Sequence, residues 1–447
     1  MKPNIIHRQD HVISRKLLSP NALKTLHRLN DQGFTAYLVG GCVRDLLLGR
    51  VPKDFDVATN ATPGQIKKLF RNCRLVGRRF RLAHLDYQDE IIEVSTFRTN
   101  AVSDEGAAEE TTTPGRPPRH LKNEDGMVLR DNIFGTPVED ALRRDFTINA
   151  LAYNIADFSV IDFTDGLTDL QQRLIRPIGD PVVRFTEDPV RMIRAVRFAA
   201  SLDFAIEPET WTILRDQAAT ITRAAPARLY EEMLKLFLLG SALPIFVLLA
   251  QSGLLMALFP WLSRWLYGGG GRVDLIYKSL KWIDGLVREG TPPSPPLLLA
   301  ALFGPSLEDE ALARHRDGVP YQQAMHAAVA AFLEELCGTV TVPAKVSNRL
   351  RGILTLQPAL HKVPLRRPDA MAARLDFADA LTYLRLMVDA KGENLPSRQW
   401  WDAYTEGKIP EAVAEAAAAE PPAKRSKKRR RRRPRTSKAE ERPVAES

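Results

Sequence analysis

Leu38-Val39-Gly40-Gly41-Cys42-Val43-Arg44-Asp45, with Asp54-Phe55-Asp56-Val57 nine residues further on, is where the chain declares both its architecture and its chemistry. An apolar run that meets two glycines and then resumes as Val43-Arg44-Asp45-Leu46-Leu47 reads as a strand turning into a helix. Glycine lets the backbone approach a ligand closely. The helix opened by Gly40 and Gly41 aims its first N–H groups at an anion, so a triphosphate fits there. Arg44 can add a charge-assisted bond to the same phosphates. Asp54 and Asp56, two apart on a strand, face the same side roughly 7 Å apart. Two such carboxylates repel each other, and both stay ionised only beside cations. Hard Mg²⁺ suits the pair, because it completes its shell with phosphate oxygens and water. Two ions held this way clamp the attacking and leaving oxygens of a phosphoryl transfer. Taken singly, each signal has an ordinary alternative: a common Gly-Gly turn, or an Asp-x-Asp on a solvated strand face.

Elements on either side of this stretch alternate. Ser19-Pro20 predicts a capped helix carrying Leu23, Leu26 and Leu29 and stopping at Gly33. Strands are expected over Phe34–Val39 and around Phe55 and Val57. A short helix is expected over Val43–Leu48, and another runs from Thr62-Pro63 to about Arg71. Phe80–Tyr87 and Ile91–Phe97 look like paired strands, which makes the first ~100 residues an α/β unit. Residues 99 to 126, rich in Thr, Pro, Gly and acidic side chains, are expected to form a mobile loop. Helical periodicity returns near Val138 and dominates after Asp188, with breaks at Gly268–Gly271 and Pro292–Pro296. A last helix is expected around Ile409–Ala419, ended by Pro421-Pro422.

The charge is lopsided. Between Lys424 and Lys438 stand eleven basic residues and no acidic one, and removing those eleven from the formal +9 leaves −2 for everything else. The pI near 9.4 therefore belongs to a tail. Such a block is expected to be disordered and to hold a polyanion through counterion release, without reading sequence. A merely solubilising extension is the alternative.

A third carboxylate would strengthen the metal site, and two are available. Glu93 lies between apolar residues in Ile91-Ile92-Glu93-Val94, and Asp145 lies in Arg143-Arg144-Asp145-Phe146-Thr147-Ile148-Asn149-Ala150. A buried ion pair for Glu93 and a helix-face salt bridge for Asp145 are the bland alternatives. Further on, Glu187-Asp188-Pro189-Val190-Arg191-Met192-Ile193-Arg194-Ala195-Val196-Arg197-Phe198 reads as a helix start in which Asp188 and Arg191 stand one turn apart. An aspartate and an arginine together offer an acceptor and a fork of donors, enough to read a base edge without a template. An ordinary capped helix with an ion pair would look the same.

Other classes are excluded. With 45% hydrophobic and 26% charged residues the composition is that of a globular protein. No apolar run approaches the ~18 residues needed to span a bilayer. Met1–Asp10 lacks an apolar signal region. Cys42, Cys73 and Cys337 are few, scattered and odd in number, which points to a reducing cytoplasm rather than a disulfide framework. No zinc-ligand spacing, Walker A sequence, nucleophile elbow or His-Asp dipeptide occurs.

In combination these segments resemble the class II nucleotidyltransferases of the polymerase β superfamily, which contains bacterial poly(A) polymerases and CCA-adding enzymes. The likeness runs from about Leu38 to Phe237, with four motifs in order. It implies that Asp54 and Asp56 bind two Mg²⁺ and that Asp145 is the third catalytic acid. Glu93 aligns with an acidic strand position sometimes given that role, so the choice between the two stays open. The likeness also assigns Gly40, Gly41, Arg44, Arg144, Asp188, Arg191 and Arg194 to the nucleotide, with Arg194 and Arg197 towards nucleotide or RNA phosphates. Leu75-Val76-Gly77-Arg78-Arg79-Phe80-Arg81-Leu82-Ala83-His84, Leu129–Gly135 and the Arg-rich C-terminus resemble the poly(A) branch.

The resemblance implies an α/β N-terminal nucleotidyltransferase domain of polymerase β type, followed by an all-α helical region and a disordered basic tail. Residues 1–33 are expected to be a helical lead-in and 34–165 the catalytic domain. A nucleotide-selecting and RNA-binding neck spans 166–260, a helical body 261–405, and a helix with the tail 406–447. The expected reaction extends RNA 3′ ends with adenylate from ATP. The expected protein is a cytoplasmic monomer without a membrane span that works beside RNA-decay proteins. CCA addition to tRNA and an inactive RNA-binding adaptor are the alternatives.

Overall fold

The computed structural model describes residues 2–77, 81–99 and 134–408, and the backbone alone of 120–122 and 128–131. The Arg/Lys-rich tail, the helix expected at Ile409–Ala419 and most of the loop expected over 99 to 126 lie outside these residues.

The head is built as the local signals require. Helix α1 (Pro20–Asp31) starts where Ser19 Oγ accepts from the N–H groups of Asn21 and Ala22 at 3.1 and 3.2 Å, and it buries Ala22, Leu26 and Leu29. Gly33, at φ +79°, releases the chain after it. In α3 (Pro63–Leu69), after the shorter α2 (Gly41–Leu47), Thr62 and Gln65 form a reciprocal capping box. Thr136 and Glu139 repeat that box at α4 (Pro137–Leu142).

The strands are β1 (Asn4–Ile6), β2 (Ala36–Val39), β3 (Asp56–Thr59), β4 (Cys73–Val76), β5 (Leu82–Asp86) and β6 (Ile91–Thr96). A hairpin of β7 (His120–Lys122) and β8 (Val128–Asp131) follows, then β9 (Ala152–Tyr153) and β10 (Val160–Asp162). Eight of them form one mixed sheet in the order β1-β10-β9-β2-β3-β6-β5-β4. The segment 1–33, expected to be a helical lead-in, thus contributes an edge strand: Asn4, Ile5 and Ile6 pair with Asp162, Ile161 and Val160. Three residues carry too little periodicity to be seen without their partner. The strand begun by Phe55 in the sequence expectation begins at Asp56, and Asp54 precedes it.

Asp162 Oδ1 accepts from the N–H of Thr164 and Gly166, and Oδ2 from that of Leu167, which anchors α5 (Gly166–Gln172). Beyond it, the two-residue strands β11 (Leu174–Ile175) and β12 (Ala205–Ile206) pair in parallel, and among the described residues everything else ordered is helical. Helices α6 (Pro181–Glu187), α7 (Val190–Leu202), α8 (Pro208–Gln217) and α9 (Pro226–Phe237) come next, followed by the helices of the region Ala242 to Thr405. The expected breaks are real: one helix ends at Tyr267 and the next starts at Arg272, and Arg288 and Pro295 bound the second gap. Head and helices share one continuous core, crossed by the edge-on contact of Phe146 with Phe198 at 5.7 Å.

Candidate active site

Sheet register assembles the acidic centre. Val39, at the end of β2, is the cross-strand partner of Asp56, so Asp56 stands beside the Gly40 turn. On its other side β3 runs parallel to β6, and there Asp56 is the partner of Glu93. Phe55 is buried while Asp54 is exposed and Asp56 half-buried, so the two aspartates turn away from the core that Phe55 enters. The Asp56 carboxyl is pushed up to about 6, first by burial and then by the charges of Glu93 and Asp54, with Arg144 opposing. Desolvation and like charge together leave a group that a cation would relieve. No three His, Cys, Asp or Glu side chains form a ready cage among the described residues. These donors therefore fit Mg²⁺, which leaves much of its shell to water and phosphate, better than a metal that needs an all-protein site.

The glycine pair is asymmetric. Gly40 has φ +79° and ψ −137°, a conformation open to glycine, and a Cβ there would stand 3.0 Å from Arg144 Nη1. At Gly41 a Cβ would meet Arg44 Nη2 at an ordinary 3.5 Å. Arg144 is itself held by Asp140 Oδ2 at 3.1 Å and the Asn149 carbonyl at 3.4 Å. Its guanidinium thus lies beside the turn, and its charge acts on Asp56. Arg44 is buried, donating to Asp45 Oδ1 from Nε and Nη2 at 2.9 and 2.7 Å and to Asn149 Oδ1 at 2.7 Å.

Asp145, expected as the third catalytic acid, has a different set of partners from Glu93. Its carboxylate is forked by Arg194, Nε at 2.8 Å and Nη2 at 2.5 Å, and also accepts from Asn149 Nδ2 and the Phe146 N–H. Burial pushes this carboxyl up, but the Arg194 charge and these bonds outweigh it and hold it well below the usual carboxylate range. Arg194 also faces Glu232 at 3.8 Å, and Arg197 faces the same carboxylate at 3.7 Å. Arg44, Arg194 and Arg197 all stand over the Phe198 ring, at 5.2, 5.6 and 4.5 Å. Arg194 and Arg197, expected to face phosphates, thus both border the Glu232 carboxylate.

Asp188 and Arg191, expected to read the base together, are each held by a further residue. Asp188 is forked by Arg228 of α9, both bonds 2.8 Å. Arg191 turns back through Nη1 to the Arg184 carbonyl at 2.8 Å and Glu187 Oε2 at 3.2 Å. Arg184 is buried and lies lower than usual, at about 10, through burial and its neighbour Arg191. It donates to Glu187 and to the carbonyls of Arg143 and Arg144, tying α6 to the head.

Sequence reasoning missed Asn149, Arg184, Arg228, Glu232 and His84. Asn149 had a signal, since a polar residue four after Asp145 can share its helical face. Arg228 and Glu232 had none, because they approach from another helix.

Comparison with known proteins identifies the family. Residues 36–176 match the family described as the poly A polymerase head domain, 203–266 its probable RNA and SrmB-binding site, and 317–437 its arginine-rich C-terminus. Poly(A) polymerase I of Salmonella typhi is 44% identical over 412 residues, 91% of this chain and 87% of that one. The Haemophilus influenzae protein of that name is 39% identical over 90% of this chain and 88% of its own. A CCA-adding enzyme of Lactobacillus gasseri is 38% identical over 52% of this chain and 54% of its own. Among solved structures, the Bacillus stearothermophilus CCA-adding enzyme in complex with CTP has a TM-score of 0.57 and 26% identity, covering 91% of this chain and 90% of that one. The likeness to poly(A) polymerases runs nearly the length of the chain, whereas the CCA-adding relative matches only half of it in sequence. This chain belongs to the poly(A) polymerase family, template-independent polynucleotide adenylyltransferases of RNA 3′ ends.

Proposed function

We propose that the adenylate transfer takes place at the row of Asp54, Asp56 and Glu93, with ATP as substrate and Mg²⁺ held by these three side chains. The observation that carries this reading is the parallel pairing of Asp56 with Glu93 next to the Gly40 turn, with the Asp56 carboxyl raised by burial and then by its acidic neighbours. In the reaction the RNA 3′ oxygen bonds to the α-phosphorus of ATP, the bond to the β-phosphate oxygen breaks, and pyrophosphate leaves. The 3′-hydroxyl gives up its proton, for which the row of carboxylates is the nearest acceptor. Bound Mg²⁺ would supply charge neutralisation for the attacking and leaving oxygens.

The remaining residues position. The Gly40–Gly41 turn and Arg144 seat the triphosphate, where the glycine backbone admits close approach beside a guanidinium. Arg44, Asn149, Asp145 and Arg194 form one hydrogen-bonded chain from α2 to α7, which sets the head against the neck. Asp188, fixed by Arg228, has one orientation, and the donors of Arg191 other than Nη1 are left to meet the base. A fixed pattern suits a single nucleotide. RNA is held by the body as well as by the basic tail. In support, Lys362, Arg366, Arg367 and Arg374 are exposed and show no side-chain ion pair or hydrogen bond among the described residues. The segment 203–266 is where a protein of RNA turnover would dock.

The test is extension of an oligoribonucleotide with each NTP separately. A long ladder with ATP alone supports the reading. Equal use of all four NTPs removes the adenine claim, and arrest after three nucleotides on tRNA would indicate CCA addition. Asp54→Ala should abolish extension while RNA still binds; unchanged extension would remove Asp54 from the mechanism.

A further inference from the structure

The acidic row continues one strand past the carboxylates. Glu93 is the cross-strand partner of Asp56 on one side and of His84 on the other, so the three side chains stand abreast on β3, β6 and β5. Directly opposed residues share a face and lie within reach of each other. His84 Nε2 is 3.4 Å from Glu93 Oε1, and the imidazole is well covered at 18% exposure, whereas the Glu93 side chain is 48% exposed. The next residue in the row, Arg74, is the partner of His84 but pairs with Asp86, 3.6 Å away. Nothing in the row therefore competes with Glu93 for the imidazole.

A half-exposed glutamate beside a like charge tends to swing into solvent, where it is solvated and free of repulsion. Asp56 supplies that repulsion. The imidazole, packed in the sheet and therefore poor in alternative rotamers, is among the described residues the neighbour that offers its N–H edge to Glu93 on the side away from Asp56. We propose that His84 is a positioning residue that keeps the Glu93 carboxylate beside Asp56 for the catalytic cation. The inference rests on Glu93 being one of the metal-holding acids, and it adds the residue that orients it. Partners that orient metal-binding side chains without touching the ion typically matter about 10–100-fold in metal affinity.

The experiment measures binding of Mn²⁺, followed by the loss of its free electron paramagnetic resonance signal, to the full-length chain without nucleotide. Wild type, E93Q, H84A and H84Q are compared, with thermal unfolding and RNA affinity as controls. H84A is expected to weaken Mn²⁺ binding roughly 10-fold or more, with RNA affinity unchanged. H84Q retains an N–H donor of similar reach and should recover most of the loss. If H84A does not fold, H84L, which fills the space without a donor, takes its place. Should E93Q weaken Mn²⁺ while H84A leaves it unchanged, the role given to His84 is overturned and that of Glu93 stands. Should E93Q itself leave Mn²⁺ binding untouched, both fall.

Discussion

Asp56→Asn should make the metal-stripped protein more stable above neutrality, although it removes a catalytic side chain. The Asp56 carboxyl stands at about 6 in the folded chain, against an ordinary 3.8. The folded state therefore favours the protonated form. Its contribution to stability is fully present below the unfolded pKa and is lost as pH rises through the folded one. At about 1.4 kcal/mol per unit, the roughly two-unit rise costs on the order of 2–3 kcal/mol at pH 8. Asparagine keeps the shape and removes the charge, so it recovers that amount. In a chain of this size the gain corresponds to a rise of roughly 2–5 °C in unfolding temperature in EDTA. At pH 5 the gain should shrink to about half, because the folded carboxyl is then largely protonated while the unfolded one is not. Adding Mg²⁺ at pH 8 should raise the wild type towards the variant and leave the variant nearly unmoved. Thermal unfolding of both proteins at pH 5 and pH 8, with EDTA or Mg²⁺, reads all four conditions. If the variant is no more stable than wild type at pH 8 in EDTA, or if its gain does not depend on pH, the burial of Asp56 beside Glu93 and Asp54 does not raise this group.

Three further perturbations address the surrounding parts. Arg228→Ala frees Asp188 from its two 2.8 Å bonds; at about 1–2 kcal/mol for a partly exposed fork, ATP preference over CTP should fall roughly 5–30-fold, and unchanged preference in single-nucleotide assays would remove the fork from selection. Gly40→Ala forces a side chain into φ +79° and to 3.0 Å from Arg144, at about 1–3 kcal/mol, so ATP affinity should drop sharply, whereas Gly41→Ala should be milder; equal effects would contradict the close approach at Gly40. Asp145→Asn leaves Arg194 without its buried fork and should destabilise the chain by about 3–5 kcal/mol. Because the folded carboxyl lies below its ordinary value, the stability it contributes is present above the unfolded pKa and is lost only as pH falls through the folded one. Urea unfolding at pH 7 checks this, and a loss under about 1 kcal/mol, the level of an exposed ion pair, would argue against the buried network.

What could be read along the chain was local chemistry. Ser19-Pro20, Thr62-Pro63 with Gln65, and the Gly40–Gly41 turn each act on backbone atoms a few residues away, so their consequences are encoded where they stand. Asp54-Phe55-Asp56 likewise announced an apolar residue facing in between two acids facing out. Partner choice was not local. Glu93 is set beside Asp56 by the parallel pairing of strands 37 residues apart. Asp145 is held by an arginine 49 positions on, and Asp188 by one 40 positions on. The edge strand Asn4–Ile6 exists only because Val160–Asp162 is there to pair with it. A charged side chain can be satisfied by any opposite charge that folding brings near, and its neighbours in sequence do not determine which one arrives. Residue types and turns therefore pointed to the reaction class from the sequence alone, while the sheet register and the packing of α7 and α9 decided which partner each charged side chain of the site meets.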